Sequence, residues 1–137
     1  LLTARQIQRW LKKKIAELSE KEEKPARFGC AVMKQAVQCI YREYANAFLS
    51  VDDIAKEAGI SVNRLNDLFK KEQGETAGKF LTKVRIERAR ELLDEGSEKM
   101  TAIAEKTGYT STSYFARVFR KYYGMSPQEY KIKRRER

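Results

Sequence analysis

The stretch Ile54-Ala-Lys-Glu-Ala-Gly59 returns as Ile103-Ala-Glu-Lys-Thr-Gly108, an offset of 49 residues. One inserted residue then raises the offset to 50, and Leu65, Leu68, Phe69 and Gly74 fall on Phe115, Val118, Phe119 and Gly124, with Phe80 on Tyr130. So long a correspondence within 137 residues means that one supersecondary unit is built twice. In each copy the apolar residues recur at three and four, never at two, so the fold expected is all-α.

Each copy reads as a short helix, a glycine turn and a second helix with one apolar stripe. Ala55 and Ala104 are small enough for two helices to cross closely, and the glycine accepts a left-handed turn conformation that other residues resist. That is helix-turn-helix architecture. A single copy would suit an ordinary antiparallel helix pair equally well; two copies in a basic chain favour the more specific unit.

The rest of the chain frames the two copies. Ile7, Leu11, Ile15 and Leu18, with Trp10 beside them, predict an N-terminal amphipathic helix from Ala4 to Ser19. The charged run Ser19 to Lys24, Pro25 and Gly29 then look like a helix end and linker. A boundary near residue 28 leaves 1–28 as a linker or signalling helix and 29–137 as the doubled domain. Val32, Ala36, Val37, Ile40, Tyr41 and Tyr44 predict a helix ending near Asn46. Ser50 to Asp53 has the spacing of a capping box and predicts a helix to Ala58. Ser61 caps the next helix, which runs to Gln73. A long joining helix is expected over Ala77 to Glu95, then helices from Met100 to Thr107 and from Ser111 to Tyr123. Ser126-Pro-Gln-Glu129 starts a closing helix in the basic tail.

A net charge of +10 and a pI near 9.7 favour a polyanionic partner, either nucleic acid or anionic lipid. The chain has no histidine, which removes the commonest general base and metal ligand. Its carboxylates sit beside lysines on charged faces, with no nucleophile and base in register, so no catalytic residue, cofactor or metal is expected. Cys30 and Cys39 are nine residues apart, about half a helical revolution, and read as buried small side chains in a reducing compartment. No signal peptide is visible, and no apolar run approaches the roughly 20 residues that span a bilayer, so a cytoplasmic location without a membrane partner is expected.

Stepping about 100° per residue divides each second helix by face. With Phe115, Val118, Phe119 and Tyr122 as the buried stripe, Ser113, Ala116, Arg117, Arg120 and Lys121 turn outward. In the first copy Leu65, Leu68 and Phe69 are buried, and Asn63, Asn66, Asp67, Lys70 and Lys71 turn outward at matching positions. Amides, hydroxyls and small groups lie near each helix start, where they can approach base edges, and cations lie toward the end, where they can meet phosphates.

On these residues the chain resembles the DNA-binding domain of the AraC/XylS transcriptional regulators. The run Ser113-Tyr-Phe-Ala-Arg-Val-Phe-Arg-Lys-Tyr-Tyr-Gly-Met-Ser-Pro-Gln-Glu-Tyr130 is similar to that family's C-terminal signature at nearly every defining position, and the likeness extends over residues 31–131. The resemblance implies seven helices in two helix-turn-helix subdomains joined by a long helix, reading adjacent major-groove segments of double-stranded DNA. Its base-reading positions fall on Asn63, Asn66 and Asp67 in the first unit, and on Thr112, Ser113, Ala116 and Arg117 in the second. Phosphate contacts are expected from Arg120 and Lys121, and further from Lys70, Lys71 and Lys79. The resemblance also implies a sensory or receiver module elsewhere in the parent protein, and RNA polymerase as a further partner.

One departure stands out. Asp67 holds the position of Arg117, where the family more often carries a neutral or basic side chain. Three explanations compete: acceptance from a cytosine amino group, pairing with Lys70 or Lys71, or a first unit that engages DNA weakly. The joining helix would span roughly 28 Å at 1.5 Å per residue, less than the roughly 34 Å of one DNA turn, so a modest DNA bend is expected. For residues 4–19, packing on the same domain competes with dimerisation or signal relay. The competing function is a basic helical module for protein interaction or non-specific nucleic-acid binding, from which base preference in excess random DNA would separate a specific reader.

Overall fold

The computed structural model describes residues 4–19 and 27–135, with side chains over 6–13 and 31–135. The described residues form eight helices and no strand: α1 (Ala4–Ser19), α2 (Arg27–Glu43), α3 (Val51–Ala58), α4 (Val62–Gln73), α5 (Ala77–Glu95), α6 (Met100–Lys106), α7 (Thr112–Tyr123) and α8 (Pro127–Arg135). Seven of these follow residue 26, the number the resemblance implies. No described helix is long and apolar enough to cross a membrane.

Local chemistry accounts for most of the helix ends. Ser50 Oγ accepts from Asp53 N at 3.2 Å while Asp53 Oδ2 accepts from Ser50 N at 3.1 Å, closing the capping box that starts α3. These bonds hold the Asp53 carboxyl below the usual carboxylate range. Ser61 Oγ accepts from Arg64 N and Ser111 Oγ from Tyr114 N, both at 3.2 Å, to start α4 and α7. Ser126 Oγ accepts from Glu129 N at 3.1 Å at the start of α8.

Helix α2 stops at Glu43, short of the Asn46 expected from its apolar spacing. Arg85 donates from Nε to the Tyr44 carbonyl and from Nη2 to the Asn46 carbonyl, each at 2.8 Å, and the Asn46 side chain accepts from Phe48 N at 3.0 Å. These bonds satisfy carbonyls and an amide of the loop that follows the helix.

The described chain divides into two compact units. The first holds α1 to α4 and the opening of α5 up to Gly78; the second holds the Tyr44–Leu49 loop, α5 from Lys79 onward, and α6 to α8. In the first unit Ala36, Ile40, Ile54, Leu65 and Phe69 are fully enclosed. Trp10 of α1 meets the Tyr41 ring of α2 edge-on at 5.4 Å, so the N-terminal helix rests on its own unit, with Ile7 of its predicted stripe left exposed. Ile15, Leu18, Cys30 and the boundary near residue 28 lie outside the described side chains. Cys39 is buried, and its thiol is pushed up to about 12 by burial and by the Glu57 carboxylate, with Glu43 Oε2 at 3.8 Å from Sγ. These three ligand-type groups lie within 4.8 Å of one another, but Arg42 already supplies their cation, pairing with Glu57 and, at 3.7 Å, with Glu43.

The second unit has an aromatic core. Phe119 packs against Phe115 at 6.0 Å, Tyr123 at 4.8 Å and Tyr130 at 5.8 Å. Tyr130 OH donates to Asp94 Oδ1 at 2.7 Å and Arg134 Nη1 donates to the Leu93 carbonyl at 3.2 Å, tying α8 to the end of α5. Tyr122, expected in the buried stripe, is 41% exposed. The half-buried Tyr123 turns inward instead, where α8 brings Tyr130 to that side of α7 and α5 brings Arg90 over the Tyr123 ring.

Candidate nucleic-acid interface

The two helix-turn-helix units are built alike from the backbone outward. In the first, Gly59 takes φ +74 and Ile60 N bonds to the Ala55 carbonyl at 3.0 Å; in the second, Gly108 takes φ +87 and Tyr109 N bonds to the Ala104 carbonyl at 2.9 Å. Tyr109 is therefore the counterpart of Ile60, and Thr110 is the inserted residue. From Ser61 to Ala77 and from Ser111 to Pro127, the order of buried, half-buried and exposed residues is the same at every position. Gly74 and Gly124 close both second helices in the left-handed conformation, at φ +75 and +73.

The second turn cannot accept a side chain at its glycine. A Cβ at Gly108 would collide with the Tyr44 carbonyl oxygen and come within 2.7 Å of Arg85 Nε. Tyr109 is buried behind it, with its ring 5.5 Å from Phe115 and Arg85 Cζ 5.9 Å from its centroid. The arginine that holds the Tyr44 and Asn46 carbonyls therefore also braces the turn before α7.

On the outer face of α7, Ser113, Arg117, Arg120 and Lys121 are exposed, while Thr112 and Ala116 are half-buried. On α4, Asn63, Asp67, Lys70 and Lys71 are exposed and Asn66 is half-buried. Among the described residues Asp67 makes no ion pair with Lys70 or Lys71. Asn66 is engaged within the protein, since its Oδ1 accepts from Ala77 N at 3.1 Å.

Lys79 is brought to the second unit, where it lines a groove of about 410 Å³ with Thr82, Tyr114, Val118, Lys121 and Tyr122. Two members of this groove were not anticipated as surface groups. Tyr114 is 52% exposed, and Arg117 Cζ lies 5.7 Å from its ring centroid. The repeat carried a signal for both. Tyr114 matches Arg64 and Tyr122 matches Glu72, charged residues that are exposed in the first copy. Two lysines flanked by two aromatic rings form an amphipathic slot beside the outward face of α7, suited to a sugar-phosphate strand.

A family model described as a helix-turn-helix domain matches residues 54–133. The xylose operon regulatory protein of Escherichia coli (strain K12) is 36% identical over 90 residues, which make up 66% of this chain and 23% of that protein. The chain spans about a quarter of the length of the curated relatives it matches first. The C-terminal domain of AraT, a response regulator from Geobacillus stearothermophilus, superposes with a TM-score of 0.71 at 33% identity, covering 77% of this chain and 85% of that one. The DNA-binding domain of AdpA, solved in complex with a target DNA, shares the fold at a TM-score of 0.71 and 20% identity, over 77% of this chain and 94% of that one. Together with the doubled helix-turn-helix units, these matches show that the chain belongs to the AraC-type helix-turn-helix family.

Proposed function

We propose that the chain binds double-stranded DNA sequence-specifically and serves as the DNA-reading part of a transcription regulator. Helices α4 and α7 would each enter a major-groove segment. The observation that carries this is the position-by-position agreement of α4 and α7 in burial, with small polar groups exposed near each start and cations exposed near each end. Base reading is assigned to Thr112, Ser113, Ala116 and Arg117 in α7, and to Asn63 and Asp67 in α4. Phosphate contact is assigned to Arg120, Lys121 and Lys79 around the second unit, and to Lys70 and Lys71 on the first.

The second unit is the stronger reader. Arg117 can bond guanine through its guanidinium, whereas Asp67 at the matching position is repelled by phosphate and accepts only from a donor such as the cytosine amino group. Regulatory roles of relatives, one for a xylose operon and one in a response regulator, support a sensory or receiver module and RNA polymerase as the regulator's further partners. A cytoplasmic location and a non-enzymatic role accord with that assignment.

Replacing Arg117 by alanine is expected to cost about 1–3 kcal/mol on the preferred duplex and to relax preference at one base position. Replacing Lys121 by alanine should weaken all duplexes alike and lower the salt slope by about one. Competition binding across a salt series reads both. Equal loss on preferred and random DNA for the two variants would show that Arg117 reads no base.

A further inference from the structure

We infer that Asn66, although it sits at a base-reading position of α4, is a positioning residue that holds the start of α5 and reads no base. The inference deepens the DNA-reading role proposed above and rests on it for its consequence, though not for its structural core.

Ala77 is the first residue of α5, and its N–H is one of the amides that a helix start leaves without an intrahelical partner. The residue is fully buried, so water cannot take the bond. Asn66 Oδ1 takes it, at 3.1 Å, from the middle of the preceding helix.

The second copy solves the same problem differently. The counterpart of Ala77 is Pro127, the first residue of α8, equally buried and lacking an N–H altogether. The counterpart of Asn66 is Ala116, which has no acceptor. Donor and acceptor are thus both present in one copy and both absent in the other, at positions with the same burial. A base-reading asparagine would have no reason to follow the presence of an amide eleven residues away.

The consequence for recognition follows from geometry. Bidentate reading of adenine uses both ends of the asparagine amide, and Oδ1 of Asn66 is committed to Ala77. Reading with it would strand a buried N–H. The tie instead links α4 to α5 across the Gly74 turn and fixes the pitch at which α4 presents Asn63 and Asp67. Ala116 carries no such duty, so its methyl group is left to the groove. The unequal strength of the two readers therefore has a structural component beyond Asp67.

The test is a double-mutant cycle on the full chain, read by thermal unfolding and by duplex selection. Asn66→Ala should lower Tm by about 5 °C by leaving the Ala77 amide unpaired. Ala77→Pro should also lower it, by removing the donor from a half-buried oxygen. The double variant, which reproduces the Ala116 and Pro127 pair, should return to within about 2 °C of the parent, and Asn66→Asp, which keeps an acceptor, should stay near it. Additive losses in the double variant would overturn the inference. On DNA, Asn66→Ala should weaken all duplexes alike and leave the preferred bases unchanged, with affinity restored in the double variant; a shift in preferred base would show that Asn66 reads. A parent chain without base preference would overturn the DNA-reading role itself, and the thermal cycle would still decide the cap.

Discussion

Gly108→Ala isolates the contact on which the second turn depends. Two costs add. At φ +87 an alanine carries the strain of the left-handed region, about 1–2 kcal/mol. Its Cβ would also strike the Tyr44 carbonyl oxygen and stand 2.7 Å from Arg85 Nε, so the Arg85 to Tyr44 hydrogen bond must break or the loop must move. A hydrogen bond to a charged donor contributes about 1.5–3 kcal/mol. The total is roughly 2.5–5 kcal/mol, a large part of the roughly 5–15 kcal/mol that a domain possesses. At about 4 °C per kcal/mol for a chain of this size, Tm should fall by roughly 10–20 °C. Gly124→Ala is the control within the same unit. Its φ is +73, but a Cβ there meets nothing within 4 Å, so only the strain remains and the fall should be about 4–8 °C. Both variants are compared by circular dichroism melts and denaturant titration. Equal losses would refute the reasoning, because the difference between them is the Tyr44 and Arg85 contact alone.

Two further outcomes follow from buried titratable groups. Tyr109 is pushed up to about 12 by burial, and its hydroxyl has no hydrogen-bond partner among the described residues. Because its folded value lies above the unfolded value near 10, the stability it contributes is complete below pH 10 and lost as pH rises toward 12. Tyr109→Phe should therefore flatten that alkaline limb in melts at pH 9 to 12, and at pH 7 it should match or exceed the parent by up to about 1 kcal/mol. Cys39, buried and also pushed up to about 12, should resist iodoacetamide at pH 8 in a Cys30→Ser background and react only on unfolding; rapid alkylation of the native chain, followed by mass spectrometry, would contradict its enclosure.

What the sequence made legible was local. Ser50 with Asp53, Ser61, Gly74, Gly96, Ser111, Gly124 and Ser126 act within one helical turn, so the bounds of α3, α4, α5, α7 and α8 could be read from them. The end of α2 could not, because the apolar spacing continues to Tyr44, past Glu43; nor could the bracing of the loop after it, since Arg85 lies 41 residues from the Tyr44 carbonyl it occupies. Tyr122 was misplaced for a different reason. A 100° step puts it near the apolar stripe of α7, but where a helix ends, the side from which its neighbours arrive decides what is buried. Glu72 at the matching position in the first copy already marked it as a surface site. The same comparison pairs Asn66 and Ala77 with Ala116 and Pro127, so the capping role was also written in the repeat, though only the 3.1 Å bond identifies it. Among the candidate contacts, Ser113, Arg117, Arg120 and Lys121 of α7 could be read as outward, whereas the exposure of Tyr114 and the joining of Lys79 with Lys121 in one groove depend on tertiary packing.

The central claim, that two unequal helix-turn-helix units read DNA sequence, is tested most directly by selecting bound duplexes from a random pool in the presence of excess unselected DNA. An enriched site with two blocks of preferred bases is expected, with preference relaxed at one position of the sharper block in Arg117→Ala and the weaker block altered in Asp67→Ala. A pool that stays random after repeated selection, with binding that simply falls as salt rises, would contradict it and leave a basic helical surface without sequence preference.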